Sequence, residues 1–226
     1  IWNIVFSQFN SKPGVERKDY KELPNKNIDT GMGLERMACV IQNVKTNFET
    51  DTFMSIIKDI EKLSEVTYNG QMSFKVISDH LRTVVFAVSD GAVLSNEGRG
   101  YVLRRLLRRA IKHGKSLGIN KPFLHTLVTT IIDAMGDFYS SLNDQKELIE
   151  KIIKIEEDKF FETLSQGEKI LEEIIETNET NQLTGTQAFT LYDTYGFPLE
   201  LTIEMAEEKG FTVDQTGFKL EMEKQK

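Results

Sequence analysis

The sequence has few residues of the kinds that mark extracellular, membrane or disordered proteins. Its 226 residues include one cysteine, Cys39, so no intramolecular disulfide can form, and no Cys/His cluster suggests a zinc site. No uncharged run approaches the roughly 18 residues that span a bilayer. With 39% hydrophobic and 28% charged residues, the composition is neither disordered nor low-complexity. We therefore expect a folded cytoplasmic protein with no metal site of its own and no membrane partner.

The N-terminal residues lack the features of a natural start. Ile1-Trp2-Asn3-Ile4 is neither a methionine start nor a charged signal region. We therefore expect the chain to be an internal piece of a longer protein. Its length allows at most about two ordinary domains.

The charges are unevenly distributed along a chain whose net charge is -7. Asp144 to Glu179 carries twelve acids and five lysines, which we interpret as a solvated helix face. Arg99 to Lys115 carries seven cations and no acid, and on a helical wheel it divides into an apolar half and a basic half. We call these cations the basic stripe: Arg99, Arg104, Arg105, Arg108, Arg109, Lys112 and Lys115.

The basic stripe has three interpretations. It could bind an RNA backbone, because clustered guanidinium groups replace condensed counterions. It could instead pair with the acidic helices of the same chain. A membrane-surface helix is disfavoured because the apolar half has no Trp or Phe. We favour RNA, but not for all five arginines.

Two strands and a helix are predicted at the N-terminal end. Residues 1–10 alternate apolar and polar residues and predict a strand. Residues 11–26 contain Pro13, Gly14 and Pro24 and predict a surface connection to a second short strand near 27–30, antiparallel to the first. Helical spacing begins after Gly33.

Beyond residue 50 the apolar spacing is helical. The predicted helices lie at about 51–64, 74–89, 97–116, 122–137, 145–178, 184–192, 198–209 and 214–226. The fold class is therefore mainly α, a short antiparallel β segment followed by an all-helical domain, with domains at 1–50 and 51–226. His80, His113 and His125 lie among apolar helix positions and are interpreted as core or boundary residues, not catalysts.

The segment from Asp29 to Arg36, DTGMGLER, has the residues of a nucleotide site. Gly31 and Gly33 let a base or phosphate approach the backbone, and the Arg36 fork can hold phosphate oxygens. Asp29 could hold an ammonium group. The alternative is a plain strand-to-helix turn with a structural Asp and Arg.

Two further polar side chains lie beside glycine or proline turns. The amide of Asn96, in SNEGRG, offers a donor and an acceptor, as does a base edge in the minor groove of an RNA helix. The carboxylate of Asp193, in YDTYGFP, could accept a hydrogen bond from the exocyclic amine of guanine. A helix cap is the alternative for Asn96.

DTGMGLER resembles the third signature motif of class II aminoacyl-tRNA synthetases, in the form used by the alanyl-tRNA synthetase family. IWNIVFSQFN resembles the strand before that motif, and the similarity continues through SDHLRTVVFAVSDGAVLSNEGRGYVLRRLLRRAIKHG and YDTYGFPLELT. Together these segments cover essentially the whole chain in the family's order. The resemblance implies that 1–50 is the C-terminal part of a class II catalytic domain and that 51–226 recognises a tRNA acceptor stem.

The resemblance implies binding roles for residues of the N-terminal part. Arg36 would contact the γ-phosphate of ATP, with Gly31 and Gly33 leaving room for alanine and adenine. Mg²⁺ would share the phosphate charge, with ligands mostly outside this chain. The family's first two motifs would precede Ile1, so we expect the chain alone to form no adenylate.

The alanine contacts implied by the resemblance are Asn3, Val5, Asp29 and Gly31. Asp29, assisted by Asn3, would bind the α-ammonium group, and Val5 would limit the space around the methyl group. Such a pocket discriminates single methylenes by only about 1 to 3 kcal/mol, so glycine and serine errors would need editing elsewhere.

The resemblance also implies that the helical domain reads the G·U pair in the acceptor stem of tRNA(Ala). The tRNA contacts implied by the resemblance are Asn96 and Asp193. From the charge of the basic stripe we add five arginines as candidate tRNA contacts: Arg99, Arg104, Arg105, Arg108 and Arg109. The main alternative is a non-catalytic helical RNA-binding module. A helical protein-interaction scaffold is a third possibility and would show no salt-dependent RNA affinity.

Overall fold

The computed structural model describes residues 2–225, apart from the side chain of Gln225. It divides into two compact units, Ile1–Thr50 and Asp51–Lys226. The identity of these units as parts of a catalytic and an RNA-recognition domain stays a prediction.

The first unit is a β-hairpin followed by a helix. Strands β1 (Phe6–Asn10) and β2 (Lys21–Ile28) pair antiparallel, and helix α1 (Leu34–Ile41) follows. The predicted strand 1–10 therefore begins at Phe6, while Ile1 lies outside the described residues. The prediction of a surface connection over 11–26 is wrong for its last six residues, which belong to β2. Pro24 is tolerated there because both strands of a two-stranded sheet are edge strands.

The second unit is built mainly of helices. They are α2 (Asp51–Ser64), α3 (Met72–Ser89), α4 (Gly98–Ser116), α5 (Val128–Met135), α6 (Ser141–Asp144), α7 (Lys146–Glu176), α8 (Gly185–Tyr195), α9 (Leu199–Glu207) and α10 (Gln215–Gln225). The expectation of an all-helical unit is wrong in one detail, since β3 (Gln182–Leu183) and β4 (Thr212–Val213) pair in parallel. The mainly α fold class is confirmed.

The predicted helix 122–137 is shorter than expected. Residues Leu124–Leu127 form a 3₁₀ turn before α5. The carboxylate of Glu157 on α7 accepts hydrogen bonds from the backbone N–H groups of Phe123, Leu124 and His125, at 2.7 to 3.0 Å. This side chain satisfies N–H groups that would otherwise be unpaired at the start of the turn.

The hydrophobic core lies in the second unit. All the buried hydrophobic side chains among the described residues belong to 51–226. Helix α4 packs against both α3 and α7, and its Leu107 and Ile111 are fully buried. Burying one such side chain contributes about 1.5 to 3 kcal/mol. Among residues 2–225 no helix is both long and apolar enough to cross a bilayer.

Candidate functional site: a cleft at helix α4 and a strand-to-helix turn

The basic stripe on α4 faces acidic side chains of the same chain. On α7, Glu156 accepts from Arg104 Nη2 at 2.9 Å and from Arg108 Nε at 2.8 Å, and its side chain is only 5% exposed. Burial lowers the pKa of Arg108, an effect that the adjacent Glu156 carboxylate opposes. The Arg108 guanidinium also lies 5.1 Å above the ring of Phe160. These two arginines are therefore held inside the fold.

Acidic side chains of α9 form ion pairs with two further cations of the basic stripe. Glu200 accepts from Arg105 Nη1 at 2.6 Å and from the Tyr101 hydroxyl at 3.0 Å. Burial raises the pKa of Tyr101, and the nearby Glu200 carboxylate raises it further. Burial alone would also raise the pKa of Glu200, but hydrogen bonds from its own backbone N–H and from Arg105 lower it.

A second acid of α9, Glu204, forms an ion pair with Arg109. It accepts from Arg109 Nε at 2.6 Å and lies 3.1 Å from His113 Nε2. Burial acts to raise the pKa of Glu204, yet hydrogen bonds from His113 and Arg109 lower it to about 2. His113 is buried and its other ring nitrogen contacts Ser73 at 3.0 Å.

Six of the seven cations of the basic stripe are thus paired within the chain, since Lys112 binds Glu208 and Lys115 binds Glu168. Arg99 is exposed and has no ion-pair partner among the described residues. Intramolecular pairing, the second interpretation of the stripe, is therefore what the structure contains at these six positions. The interpretation of 144–179 as a solvated face is also wrong in part, because Glu156 and Glu157 are buried.

Asn96 and Asp193 line one cleft of about 1270 Å³. The cleft lies between the N-terminal end of α4, helix α7, the segment joining α8 to α9, and α10. The fold therefore brings together two side chains that are far apart in sequence. Arg104 and Arg108 also line this cleft.

The two candidate base-reading residues differ in their local structure. Asn96 lies in the loop before α4 and accepts a hydrogen bond from Arg104 Nη1. It is not the helix cap, because Glu97 occupies that position and makes no side-chain cap bond. The predicted helix 184–192 extends to Tyr195 in the structure, so Asp193 lies, exposed, in the last turn of α8. That helix ends at Gly196, whose φ of 69° is in the left-handed region favoured by glycine.

The predicted alanine-binding residues lie on adjacent segments of the first unit. The Asp29 N–H donates to the Val5 carbonyl oxygen at 2.9 Å, and the Val5 N–H donates to Thr30 Oγ1 at 2.7 Å. These bonds continue the hairpin beyond β1 and β2 and place Asp29 beside Val5. Asn3 is exposed, two residues before Val5.

The predicted ATP-binding residues surround the turn into α1. Arg36 lies in the first turn of α1, and its guanidinium lies 4.3 Å above the ring of Trp2. Neither Gly31 nor Gly33 has a positive φ, and a Cβ at either would meet no atom within 4 Å. The fold of this chain therefore imposes no requirement for glycine at these positions. Within residues 2–225, no group of three or more His, Cys, Asp or Glu side chains is arranged to hold a metal ion.

A family model described as tRNA synthetases class II (A) matches residues 1–226. The chain belongs to this family. Over its full length it is 61% identical to the alanine-tRNA ligase of Acholeplasma laidlawii, 56% to that of Streptococcus sanguinis and 54% to that of Streptococcus mutans. It spans 26% of the length of each of these relatives. The resemblance to alanyl-tRNA synthetases is confirmed.

Sequence reasoning missed several residues of this class II synthetase chain that line or support the cleft. Lys159 of α7 and Lys219 of α10 line it, and both are exposed. Glu156 had a detectable signal, since it lies between Ile153 and Phe160 on the apolar face of α7. An acid at such a position predicts a buried partner of opposite charge.

Proposed function

We propose that the chain is part of an alanine-tRNA ligase that activates alanine with ATP and transfers it to tRNA(Ala). The observation that carries this proposal is the 61% identity, over the whole chain, to a relative named alanine-tRNA ligase. In the first step the alanine carboxylate attacks the α-phosphate, and pyrophosphate leaves. In the second step a terminal ribose hydroxyl attacks the carbonyl carbon, and AMP leaves.

In this proposal Arg36 holds the γ-phosphate of ATP. Its guanidinium lies over the ring of Trp2, and this cation–π contact leaves the N–H groups able to donate to an anion. Among the described residues it has no acidic partner, unlike Arg104, Arg105, Arg108 and Arg109 of α4. An arginine without a carboxylate partner is suited to bind an anionic substrate.

The remaining contacts of the N-terminal site follow the same proposal. Asp29 pairs with the α-ammonium group of alanine, assisted by Asn3, and Val5 limits the room at its methyl group. Gly31 and Gly33 leave the backbone accessible to alanine and adenine, which is consistent with the open space around both. Mg²⁺ would supply further charge neutralisation for the phosphates. In the described part of the chain no cluster of His, Cys, Asp or Glu side chains fits a metal site.

In the second unit, Asn96 and Asp193 read the G·U pair of the acceptor stem. Their shared position on one cleft supports this role. Of the five arginines predicted to contact tRNA, Arg99 is the one we propose for a phosphate, because it is exposed. We propose that the other four arginines act indirectly, by holding α7 and α9 against α4 through their ion pairs: Arg104, Arg105, Arg108 and Arg109.

RNA binding by the chain tests the recognition part of this proposal. Two acceptor-stem hairpins differing only in G·U or G·C are titrated at several salt concentrations. We expect tighter binding to G·U, and we expect Asn96→Ala and Asp193→Ala to reduce the difference without lowering the Tm. Asn120→Ala, in an exposed residue that does not line the cleft, is the matched control. Equal affinities of the unsubstituted chain for both hairpins would contradict this part.

Adenylate chemistry separates the ligase from the non-catalytic RNA-binding module. A protein extended upstream of this chain should catalyse alanine-dependent exchange of pyrophosphate with ATP, and Arg36→Ala should reduce that exchange. Binding of structured RNA by the extended protein without any ATP chemistry would favour the module instead.

A further inference from the structure

The Asn96 loop and the end of α8 that carries Asp193 form two walls of the cleft, and the carboxylate of Glu156 binds two arginines that line it. The Glu156 side chain is 5% exposed, on the middle of α7. One oxygen, Oε2, accepts from Arg104, and the other, Oε1, accepts from Arg108 at 2.8 Å and 2.5 Å. One buried acid therefore orients two arginines that project from consecutive turns of α4.

Each of these arginines uses another N–H group to hold one wall. Arg104 Nη1 donates to Oδ1 of Asn96, and Arg108 Nη1 donates to the carbonyl oxygen of Gly196, which ends the helix carrying Asp193. The guanidinium is planar and rigid, so fixing one edge also fixes the direction of the other. Two chains of hydrogen bonds thus start from a single carboxylate and end at the two walls.

We propose that Glu156 is a positioning residue that sets the separation and orientation of Asn96 and Asp193 for reading a base pair. This inference rests on the proposed recognition of the acceptor stem, and it adds a residue that does not touch the RNA. Glu156 also neutralises Arg104 and Arg108, which repel each other. Removing its charge therefore loosens the walls and releases two cations.

The two consequences change different properties of RNA binding, the preference between base pairs and the overall affinity. Loosened walls lower the preference for G·U over G·C. Released guanidinium groups raise the affinity for any RNA and steepen its salt dependence by about one unit of slope per phosphate contacted. A purely structural residue would lower both affinities and would leave the salt slope unchanged.

The test compares Glu156→Gln with Glu157→Gln in the 226-residue chain. Glu157 is the matched control because it is an equally buried acid on the same helix that binds residues 123–125 rather than a wall of the cleft. In the free chain, we expect Glu156→Gln to speed hydrogen exchange in the Asn96 loop or at the Gly196 and Phe197 amides. With the hairpins, we expect G·U preference to fall by about fivefold or more and the salt slope to steepen. Glu157→Gln should leave both the G·U preference and the salt slope unchanged.

A second variant keeps the inference testable if Glu156→Gln fails to fold. Glu156→Asp keeps the charge but shortens the side chain, so it should retain the salt slope of the unsubstituted chain while losing part of the preference. Unchanged exchange and unchanged preference in a folded Glu156→Gln variant would overturn the inference while leaving the proposed function intact. No preference in the unsubstituted chain would overturn the proposed recognition of the acceptor stem and, with it, the role of Glu156.

Discussion

The two units differ in how their side chains are satisfied. In the second unit a core of apolar side chains is buried, and six of the seven cations of the basic stripe are paired with acids on α7, on α9 or directly after α9. In the described part of 1–50 no hydrophobic side chain is buried, and Phe6, Ile28 and Leu34 are each more than 60% exposed. The ion pairs of this first unit, such as Lys18 with Glu16, are at the surface.

This difference separates two kinds of candidate binding residue. Four arginines of α4 are already bound to acids of the same chain, so we propose that they act on a ligand only indirectly: Arg104, Arg105, Arg108 and Arg109. Arg36 is stacked on Trp2 without an acid partner among the described residues, and it is suited to bind a substrate directly. The count of cations in a segment therefore does not predict how many of them bind RNA.

The largest expected difference between the two units is in the free energy of unfolding lost when a large apolar side chain is removed. Phe197 is fully buried against Phe160, with ring centroids 5.8 Å apart. Phe197→Ala should lower the free energy of unfolding by about 3 to 5 kcal/mol, because it removes contacts and leaves a cavity. Phe6→Ala, at a side chain 62% exposed, should change it by about 0.5 kcal/mol or less.

Chemical denaturation followed by helical circular dichroism measures both substitutions. The measurement reports mainly the second unit, which contains most of the helices. Comparable losses for the two variants would show that the first unit contributes to the same core, and the contrast drawn between the units would then be wrong.

The next effect compares a fully buried acid with a partly buried acid of the first unit. The side chain of Glu157 has no exposed surface. It accepts hydrogen bonds from three backbone N–H groups and contacts His125 Nδ1 at 2.8 Å. Glu157→Gln replaces one accepting oxygen by a donor and should cost about 2 to 3 kcal/mol. Glu49 in the first unit accepts one bond, from the Lys45 N–H at 2.9 Å. Glu49→Gln should cost about 1 kcal/mol or less by thermal unfolding, and a reversed order would break the comparison.

The bounds of the helices were more predictable from the sequence than the pairing of strands or the ion pairs between helices. The predicted bounds of α2 agree with the structure, because its apolar spacing and the Asp51 start are local signals. Strand β2 was missed over residues 21–26, since charges and Pro24 hide its pairing with β1. The ion pairs of α4 depend on where α7 and α9 lie, and a helical wheel contains no such information. Asn96 and Asp193 were predicted by resemblance, whereas Glu156 was not.

A smaller effect depends on pH. The pKa of Glu204 is lowered to about 2 in the folded chain from an ordinary value of 4.5. The folded state therefore binds fewer protons than the unfolded state in this window. The stabilisation from Glu204 is present above about pH 4.5 and is lost as the pH falls toward 2.

Glu204→Gln tests this dependence. Its free energy of unfolding should differ from that of the unsubstituted chain more at pH 6 than at pH 3. Glu16→Gln, in an ion pair whose side chains are 74% and 73% exposed, should differ by about 0.5 kcal/mol or less at both pH values. A gap for Glu204→Gln that is independent of pH would mean that its bonds to Arg109 and His113 do not stabilise the folded state.

The smallest expected effect on stability is at the glycines of the first unit. Gly31→Ala and Gly33→Ala should each change the Tm by no more than about 2 °C, because both positions are open and neither has a positive φ. Gly100→Ala in the second unit should lower the Tm clearly, since its Cβ would overlap the carbonyl oxygen of Val93. In the protein extended upstream, however, the same Gly31 and Gly33 substitutions should reduce alanine-dependent pyrophosphate exchange at least about tenfold, by blocking approach to the backbone. Stable and fully active variants would mean that these glycines serve neither the fold nor the substrate, and the proposed ATP and alanine contacts at this turn would then be wrong.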